Sequence, residues 1–385
     1  MKLLRRMFDG QGASLRVMIV LAVIWTLFAI AHPRFLSAMN LTNLMLQVSA
    51  VGTISVGVVL VLLLGEIDLS VGAVSGLAAA CVAVLSVRHG WNPYAAMAAG
   101  LAVGCAIGIF QGSFATRLQI PSFVVTLAGL LAWQGAQLKV LGSEGTINIS
   151  QPAITALANT FLAPPMSWWL GGGASAILVG SRAIGRWRRR KAGLELQPLP
   201  ALLLRSALAV AVTLVTIGVL NEDRGVPVAL LILAALAGGM DLFIRRTRIG
   251  RHILAVGGNM EAARRAGIRV ARIRTGVFAA ASTLAAAGGI IAAARLYAVN
   301  QSSGGSDLLL LSIAGPVIAG VSLFGGRGSA WAAVFGAVII GSISNGMDLL
   351  ALDSSVKFMV TGFVLLAAVS LDAVARRRRE AQGGR

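Results

Sequence analysis

Long apolar runs constrain this chain more than any other feature. Twelve stretches approach the ~20 residues that a helix needs to cross ~30 Å of hydrocarbon. They lie near 17–31, 44–64, 69–87, 93–116, 121–141, 165–181, 201–220, 226–244, 275–294, 308–324, 330–351 and 356–374. Short polar or Gly/Pro segments separate them, and almost no sequence remains for a separate soluble domain. Only 12% of the residues are charged, against about 25% in a soluble protein. The expectation is an all-α polytopic membrane protein with about 12 transmembrane helices, residues 1–385 forming one integral membrane domain.

The formal charge of +19 would suggest nucleic acid in a soluble protein. Its distribution says otherwise. Most cations fall in four clusters: Lys2, Arg5, Arg6 and Arg16; Arg182, Arg186, Arg188, Arg189, Arg190 and Lys191; Arg245, Arg246, Arg248, Arg251, Arg264, Arg265, Arg269, Arg272 and Arg274; and Arg376 to Arg379 with Arg385. With a cytoplasmic N-terminus, an even number of spans separates each cluster from it. All four then face the cytoplasm, as does the C-terminus, in accord with the positive-inside rule. Nucleic acid is rejected as a partner, because basic surfaces that bind it interleave aromatics and only Trp187 sits within a cluster. Val17–Ile30 with its basic lead could pass for a signal peptide, but eleven further spans favour an uncleaved first span. Cys81 and Cys105 fall inside spans, where a thiol acts as a small apolar filler.

Glycine is abundant, at 46 residues, which in lipid permits close helix approach. Gly100, Gly104, Gly108 and Gly112 repeat every fourth residue, with Ala96 extending the stripe. They mark an internal helix seam or, alternatively, a subunit interface. Two stretches break the helical pattern, Gly65 to Gly72 and Phe324 to Ser329. Either could dip into the membrane, where non-helical backbone is tolerated only against protein or a watery cavity. Glu66, Asp68, Ser70 and Arg327 are therefore candidates for a pathway or gate, with an ion pair from Arg327 to a carboxylate across the two breaks as one hypothesis. Turn residues at the membrane surface, with Asp68 capping the next helix, are the alternative.

Several chemistries are missing. None of the four lysines, Lys2, Lys139, Lys191 and Lys357, follows a glycine, so the phosphate-cradling G-x-x-x-x-G-K-[ST] loop does not occur. Asp241, Asp348, Glu66 and Asp68 lie toward span ends, whereas ion-coupled carriers keep ionisable groups near the midplane. His32, His89 and His252 are scattered, without metal-ligand spacing. Asp241 after Gly238-Gly239-Met240 lacks the second aspartate of an intramembrane protease. The chain is not expected to be an enzyme.

Residues 245–274 form a basic segment too patterned for a bare connector. Within it, Gly257-Gly258-Asn259-Met260-Glu261-Ala262-Ala263-Arg264-Arg265-Ala266-Gly267-Ile268 reads as a short helix. Asn259 is the N-cap, Glu261 meets the helix dipole and pairs with Arg265 at i,i+4, and Gly267 ends the helix in the left-handed conformation. Small Ala262, Ala263 and Ala266 would let it seat in a partner's groove; adsorption on anionic lipid is the alternative.

This loop resembles the coupling segment of permease subunits of ABC-type monosaccharide importers, in which Gly-Gly-Asn, Glu-Ala-Ala and a later Gly-Ile mark the helix that docks on the ATPase. Gly65 to Gly72 is similar to the same family's Gly-Gly-Ile-Asp-Leu-Ser-Val-Gly signature, and Val317 to Gly328 to its Val-Ile-Gly-Gly-Thr-Ser-Leu-x-Gly-Gly-Arg-Gly. Pro121 to Leu127 and Ser344 to Asp348 also fit, so that five blocks occur in family order. The chain departs at Glu66, where glycine is usual, at Met260, where proline is common, and at Ala319 and Val321. Residues 165–225 look like a two-span insertion into a ten-span, type II-like core, and with the Asp307 to Ile313 approach they most resemble the xylose-type branch.

The resemblance implies an ATP-driven importer of a monosaccharide, xylose or another pentose, in a bacterial inner membrane. Its partners would be an ABC ATP-binding subunit, an extracytoplasmic sugar-binding protein, a second permease copy and the lipid bilayer. The chain itself would bind no cofactor; ATP and Mg would be used by the partner. Gly258, Asn259, Glu261, Ala262, Ala263, Arg265 and Gly267 would form the coupling helix. Gln47, Ser49, Asn300, Gln301, Asn345 and Asp348 are candidates to line a weakly binding passage, each equally a helix-packing polar group. An importer of a nucleoside or autoinducer from the same superfamily, or an ion-coupled sugar transporter, are the alternatives.

Overall fold

The computed structural model describes residues 13–364 apart from 197, together with 366, 367 and 370. Its helices are α1 (Ala13–Ala31), α2 (Ala38–Leu63), α3 (Val71–Ala83, prolonged by a π turn over Val84–Arg88), α4 (Pro93–Arg117), α5 (Ser122–Leu141), α6 (Pro152–Asn159), α7 (Pro164–Lys191) and α8 (Leu199–Asn221). These are followed by α9 (Val228–Arg246), α10 (Arg248–Gly258), α11 (Met260–Arg265), α12 (Val270–Leu296), α13 (Ser306–Ile318), α14 (Trp331–Leu349) and α15 (Ser354–Val364). Two short antiparallel pairs clip loops together: β1 (Thr146–Asn148) with β4 (Ala298–Asn300), and β2 (Phe161–Leu162) with β3 (Val226–Pro227).

Each apolar stretch read from the sequence overlaps a helix among the described residues, the last, 356–374, lying partly outside them, and twelve full-length spans are not found there. Eight helices are long and apolar enough to cross a membrane: α2, α3 with its π turn, α4, α5, α8, α9, α12 and α14. Helices α1, α13 and α15 offer shorter apolar segments. Helix α7 has 28 residues but ends in Arg188, Arg189, Arg190 and Lys191, and its first half is rich in glycine, so it is too polar to qualify. It packs against α8 as a hairpin. The cations at the two ends of the chain, Lys2, Arg5, Arg6 and Arg376 to Arg379 with Arg385, lie outside the described residues.

Helix α2 is apolar on all sides, a pattern that belongs in the middle of a bundle. Nearly every side chain from Asn40 to Leu63 is buried, against α9, α12, α13 and α14. Ser37 starts the helix by accepting from Asn40 N at 3.4 Å. The outer helices leave large apolar side chains such as Phe110, Phe114, Leu131 and Leu204 exposed, as a lipid-facing ring requires.

The glycine ladder of α4 is an internal seam. A Cβ on Gly104 would stand 2.7 Å from Ser282 O, one on Gly108 2.6 Å from Ala279 Cα, and one on Gly112 2.8 Å from Thr275 Cα, all on α12. Ala96 is fully buried at the head of the same stripe. With no side chain between them, the two backbones make the dispersion contacts that hold helices together in lipid.

Candidate functional site

The basic loop folds as α10, α11 and the first turns of α12. Asn259 N-caps α11, its Oδ1 accepting from Ala262 N at 2.9 Å. Glu261 accepts from Arg264 and Arg265 at 3.4 and 3.3 Å. At the other end Gly267 adopts φ +81°, Gly267 N donates to Arg264 O at 3.0 Å and Ile268 N to Ala263 O at 3.1 Å. Those two bonds form the Schellman closure that the glycine makes possible. Glu261, Ala262, Arg264, Arg265 and Ala266 are exposed, whereas Ala263 is buried against the core. Ala263 therefore seats the helix on its own protein, and only Ala262 and Ala266 of the three small residues are open to a partner.

Just before α11, three glycine-containing segments meet. Gly326 N donates to Leu63 O at 2.9 Å. A Cβ on Gly257 would stand 2.8 Å from Gly326 N, and one on Gly325 2.8 Å from Gly65 N. Gly258 lies against Gly326. The end of α2, the base of the basic loop and the turn over 324–328 thus form one junction. That turn is tied to α9 as well, because Ser329 Oγ donates to Asp241 Oδ1 at 2.7 Å and Asp241 pairs with Arg245 at 2.8 Å.

The two breaks differ in depth. The turn over 324–328 stays at the junction and does not enter the bundle. The segment from Gly65 to Gly72 does. Near its start Glu66 pairs with Arg274 of α12. Just past its end, Ser75 of α3 stands against Gly289 of the same helix. Arg274 and Gly289 are about 22 Å apart at 1.5 Å per residue. The helical turn from Val71 to Ser75 covers about 6 Å of this, and the rest is spanned by the non-helical residues 66–70, which bend at Leu69, together with the long side chains of the Glu66–Arg274 pair. Part of this segment's backbone is paired by Thr126 of α5 and by Asp68 of the segment itself, as non-helical chain buried among helices requires. Leu69 N donates to Thr126 Oγ1 at 3.1 Å, and Thr126 Oγ1 donates to Ile67 O at 3.4 Å.

The ion pair proposed from the sequence is corrected here. Arg327 is exposed and Glu66 pairs instead with Arg274, both side chains largely buried. Arg274 was read only as one of the orienting cations. Asp68 accepts from Ser70 N at 2.8 Å and Ser70 Oγ at 2.7 Å, a local turn rather than a cap on α3. Ser70 Oγ also lies 3.0 Å from Gln111 Oε1, while Gln111 Nε2 and Trp133 Nε1 are buried without partners. One hydroxyl proton cannot serve two acceptors, so the Gln111 amide is best assigned with its nitrogen toward Ser70.

Above this segment lies a cavity of about 670 Å³, within the ~300–1,000 Å³ typical of small-molecule sites. Its floor is formed where Gly76 of α3 meets the 302–305 loop: a Cβ on Gly72 would stand 2.7 Å from Gly304 O, and Gln137 Nε2 donates to Ser303 O at 2.8 Å. Gln47, Ser75, Gln134, Ser344 and Thr361 line it with neutral polar groups, Phe358 with a flat apolar face, and Arg295, Asp307 and Lys357 with charges. Lys357 pairs with Asp348.

Of the residues expected to line a passage, Gln47 does so. Ser49 is buried and donates to Met45 O at 2.6 Å. Asn345 exchanges two amide bonds with Asn40, at 2.8 and 3.0 Å, and so clamps α14 to α2. Asn300 shapes the turn before the cavity by accepting from Ser302 N at 2.9 Å, and Gln301 packs beside Gly145. Asp348 is not on the cavity wall and pairs with Lys357, which is. Arg295 and Lys357 were missed, although an isolated cation within an apolar run is itself a signal of function.

A bundle with a buried central helix, a polar cavity in one half and an exposed capped helix at the opposite end defines a multi-pass membrane permease. Residues 40–369 match the family described as branched-chain amino acid transport system / permease component, and the chain belongs to that family. It is 36% identical over 380 residues to the xylose transport system permease protein XylH of Escherichia coli (strain K12), covering 96% of this chain and 95% of that one. The same protein of Haemophilus influenzae is also 36% identical, over 97% of this chain and 100% of the relative. The ribose import permease protein RbsC of Bacillus subtilis is 31% identical over 365 residues, 95% of this chain and 94% of that one. No solved structure matches it.

Proposed function

We propose that the chain is the membrane subunit of an ATP-driven importer of a pentose, xylose first among them. The observation that carries this reading is the 36% identity to xylose permeases along almost the whole of both chains. The cavity supports it. Its amides and hydroxyls suit a polyol, Phe358 offers an apolar face to ring C–H groups, and its cations are offset by Asp307 and Asp348, so a neutral solute is favoured over an ion.

In this reading α11 docks on an ATP-binding subunit. The basic loop lies on the cytoplasmic side of a bacterial inner membrane with both termini, and the cavity faces an extracytoplasmic sugar-binding protein. A second copy of the chain completes the transporter, and residues 165–225 are an added helical hairpin. Closure of the ATPase moves α11 and the junction of Gly65, Gly257 and Gly326. The non-helical segment 66–70 carries that movement to the floor where Gly72 and Gly76 meet the 302–305 loop. The permease needs no tight sugar site, because a ligand shifts a conformational equilibrium only by its differential affinity and the binding protein supplies selectivity.

The test is uptake of labelled xylose by proteoliposomes that contain the chain with its ATP-binding subunit and the sugar-binding protein. Uptake should require ATP and be competed less well by ribose than by unlabelled xylose. Uptake without ATP that an ionophore abolishes, or no pentose uptake at all, would reject the reading.

A further inference from the structure

The non-helical segment between α2 and α3 is tied to α12 by an ion pair. Glu66 and Arg274 meet through Oε1 and Nε, with 7% and 15% of their side chains exposed. Glu66 Oε2 is buried and has no hydrogen-bond partner, so the carboxylate depends on this one guanidinium. Arg274 stands in the second turn of α12, whose start follows directly from the Gly267 turn that closes α11. The pair therefore bridges the helix exposed for docking and the segment whose far end forms the cavity floor. A buried charge that loses its partner is strongly disfavoured, so the two elements are constrained to move together. The glycine that the resemblance leads one to expect at position 66 could form no such bond.

Resting on the reading of the chain as an ATP-driven permease, we propose that Glu66 and Arg274 are positioning residues that transmit the movement of α11 to the cavity floor. Neither touches the solute. Their effect is on the link between ATP hydrolysis and passage.

The experiment uses the full chain in proteoliposomes with its ATP-binding subunit and a saturating sugar-binding protein, and reads basal ATP hydrolysis, stimulated hydrolysis and xylose uptake. The wild-type chain comes first, since absence of ATP-driven uptake would overturn the functional reading rather than the ion pair's role. Given that uptake, Glu66→Gln is expected to lower both uptake and the stimulated-to-basal ratio about tenfold, inside the ~5–150-fold range of coupling between sites. Basal hydrolysis and co-purification of the ATP-binding subunit should be retained. Glu66→Asp keeps the charge and shortens the reach, and should fall between Glu66→Gln and wild type. Exchange of the two charges, Glu66→Arg with Arg274→Glu, should recover part of the loss. The proposal is overturned if Glu66→Gln and Glu66→Asp both couple like wild type, if assembly and basal hydrolysis fall in proportion to uptake, or if the exchange does no better than the single variants.

Discussion

Replacement of Gly108 by alanine would place a methyl group at the tightest point of the seam between α4 and α12. The new Cβ would stand 2.6 Å from Ala279 Cα and also strike Phe278 O. Carbon pairs rest at about 3.5–4.0 Å, so the helices must part by roughly 1 Å. Neither obstacle can rotate away, because both are backbone. A gap of about 0.5–1 Å already forfeits about a quarter to a half of the dispersion attraction of each pair that lines it. Overpacking of this kind costs about 1–3 kcal/mol, and the immovable obstacles put the cost in the upper part of that range. Alanine recovers up to about 1 kcal/mol of helix propensity, leaving a net loss of about 1–2 kcal/mol. Gly276 on α12 is the internal control, since nothing lies within 4 Å of a Cβ there. Unfolding of the purified protein in mixed micelles titrated with sodium dodecyl sulfate would rank the two variants. Gly108→Ala should unfold before wild type and Gly276→Ala should not. Equal midpoints for the two variants would refute the claim that the ladder is a close-packed internal seam.

Three further outcomes can be checked. Glu261→Lys removes two exposed ion pairs worth about 0–1 kcal/mol each, so membrane insertion should persist while uptake and ATPase stimulation are lost; unchanged values of both would remove α11 from the coupling path. Asn345→Ala leaves the buried Asn40 Oδ1 without its donor, while Asn40 Nδ2 keeps Phe35 O, and should destabilise by about 1–2 kcal/mol, with Asn40→Ala and Asn345→Ala together costing less than the sum in a double-mutant cycle. An indole at Ser344, which lines the cavity, should abolish uptake and leave the ATP-binding subunit bound; normal uptake by Ser344→Trp would place the passage elsewhere.

What could be read from the sequence was local. The cap at Asn259, the first-turn Glu261 and the left-handed Gly267 lie within nine residues of one another, and their backbone rules need no tertiary partner. The ladder from Gly100 to Gly112 was legible for the same reason, although not the identity of α12 as the surface it meets. Pairings across the chain were not legible. Glu66 has nearby cations on two different loops, and only packing decides that Arg274 rather than Arg327 reaches it. Polar residues inside spans were equally ambiguous, since Asn345 and Ser49 serve helix packing while Gln47, about half a turn of α2 before Ser49, opens on the cavity. The lengths of the spans were less legible, because hydropathy alone does not separate a short apolar helix such as α13 from a longer one. Arg295 and Lys357 escaped because cations were weighed as a signal of orientation, and neither belongs to a cluster.

The central claim is that the state of the ATPase docked at α11 reaches the cavity floor through the segment between α2 and α3. Its most direct test is a cysteine at Ser75, beside the floor, in the assembled transporter. The rate of its modification by a small water-soluble thiol reagent would be compared in nucleotide-free and ATP-bound complexes, in a chain whose Cys81 and Cys105 are replaced by alanine. A rate that changes several-fold on ATP binding, and that loses this dependence when Glu261→Lys is added, is the expected result. A rate indifferent to nucleotide in a complex that still transports xylose would contradict the account.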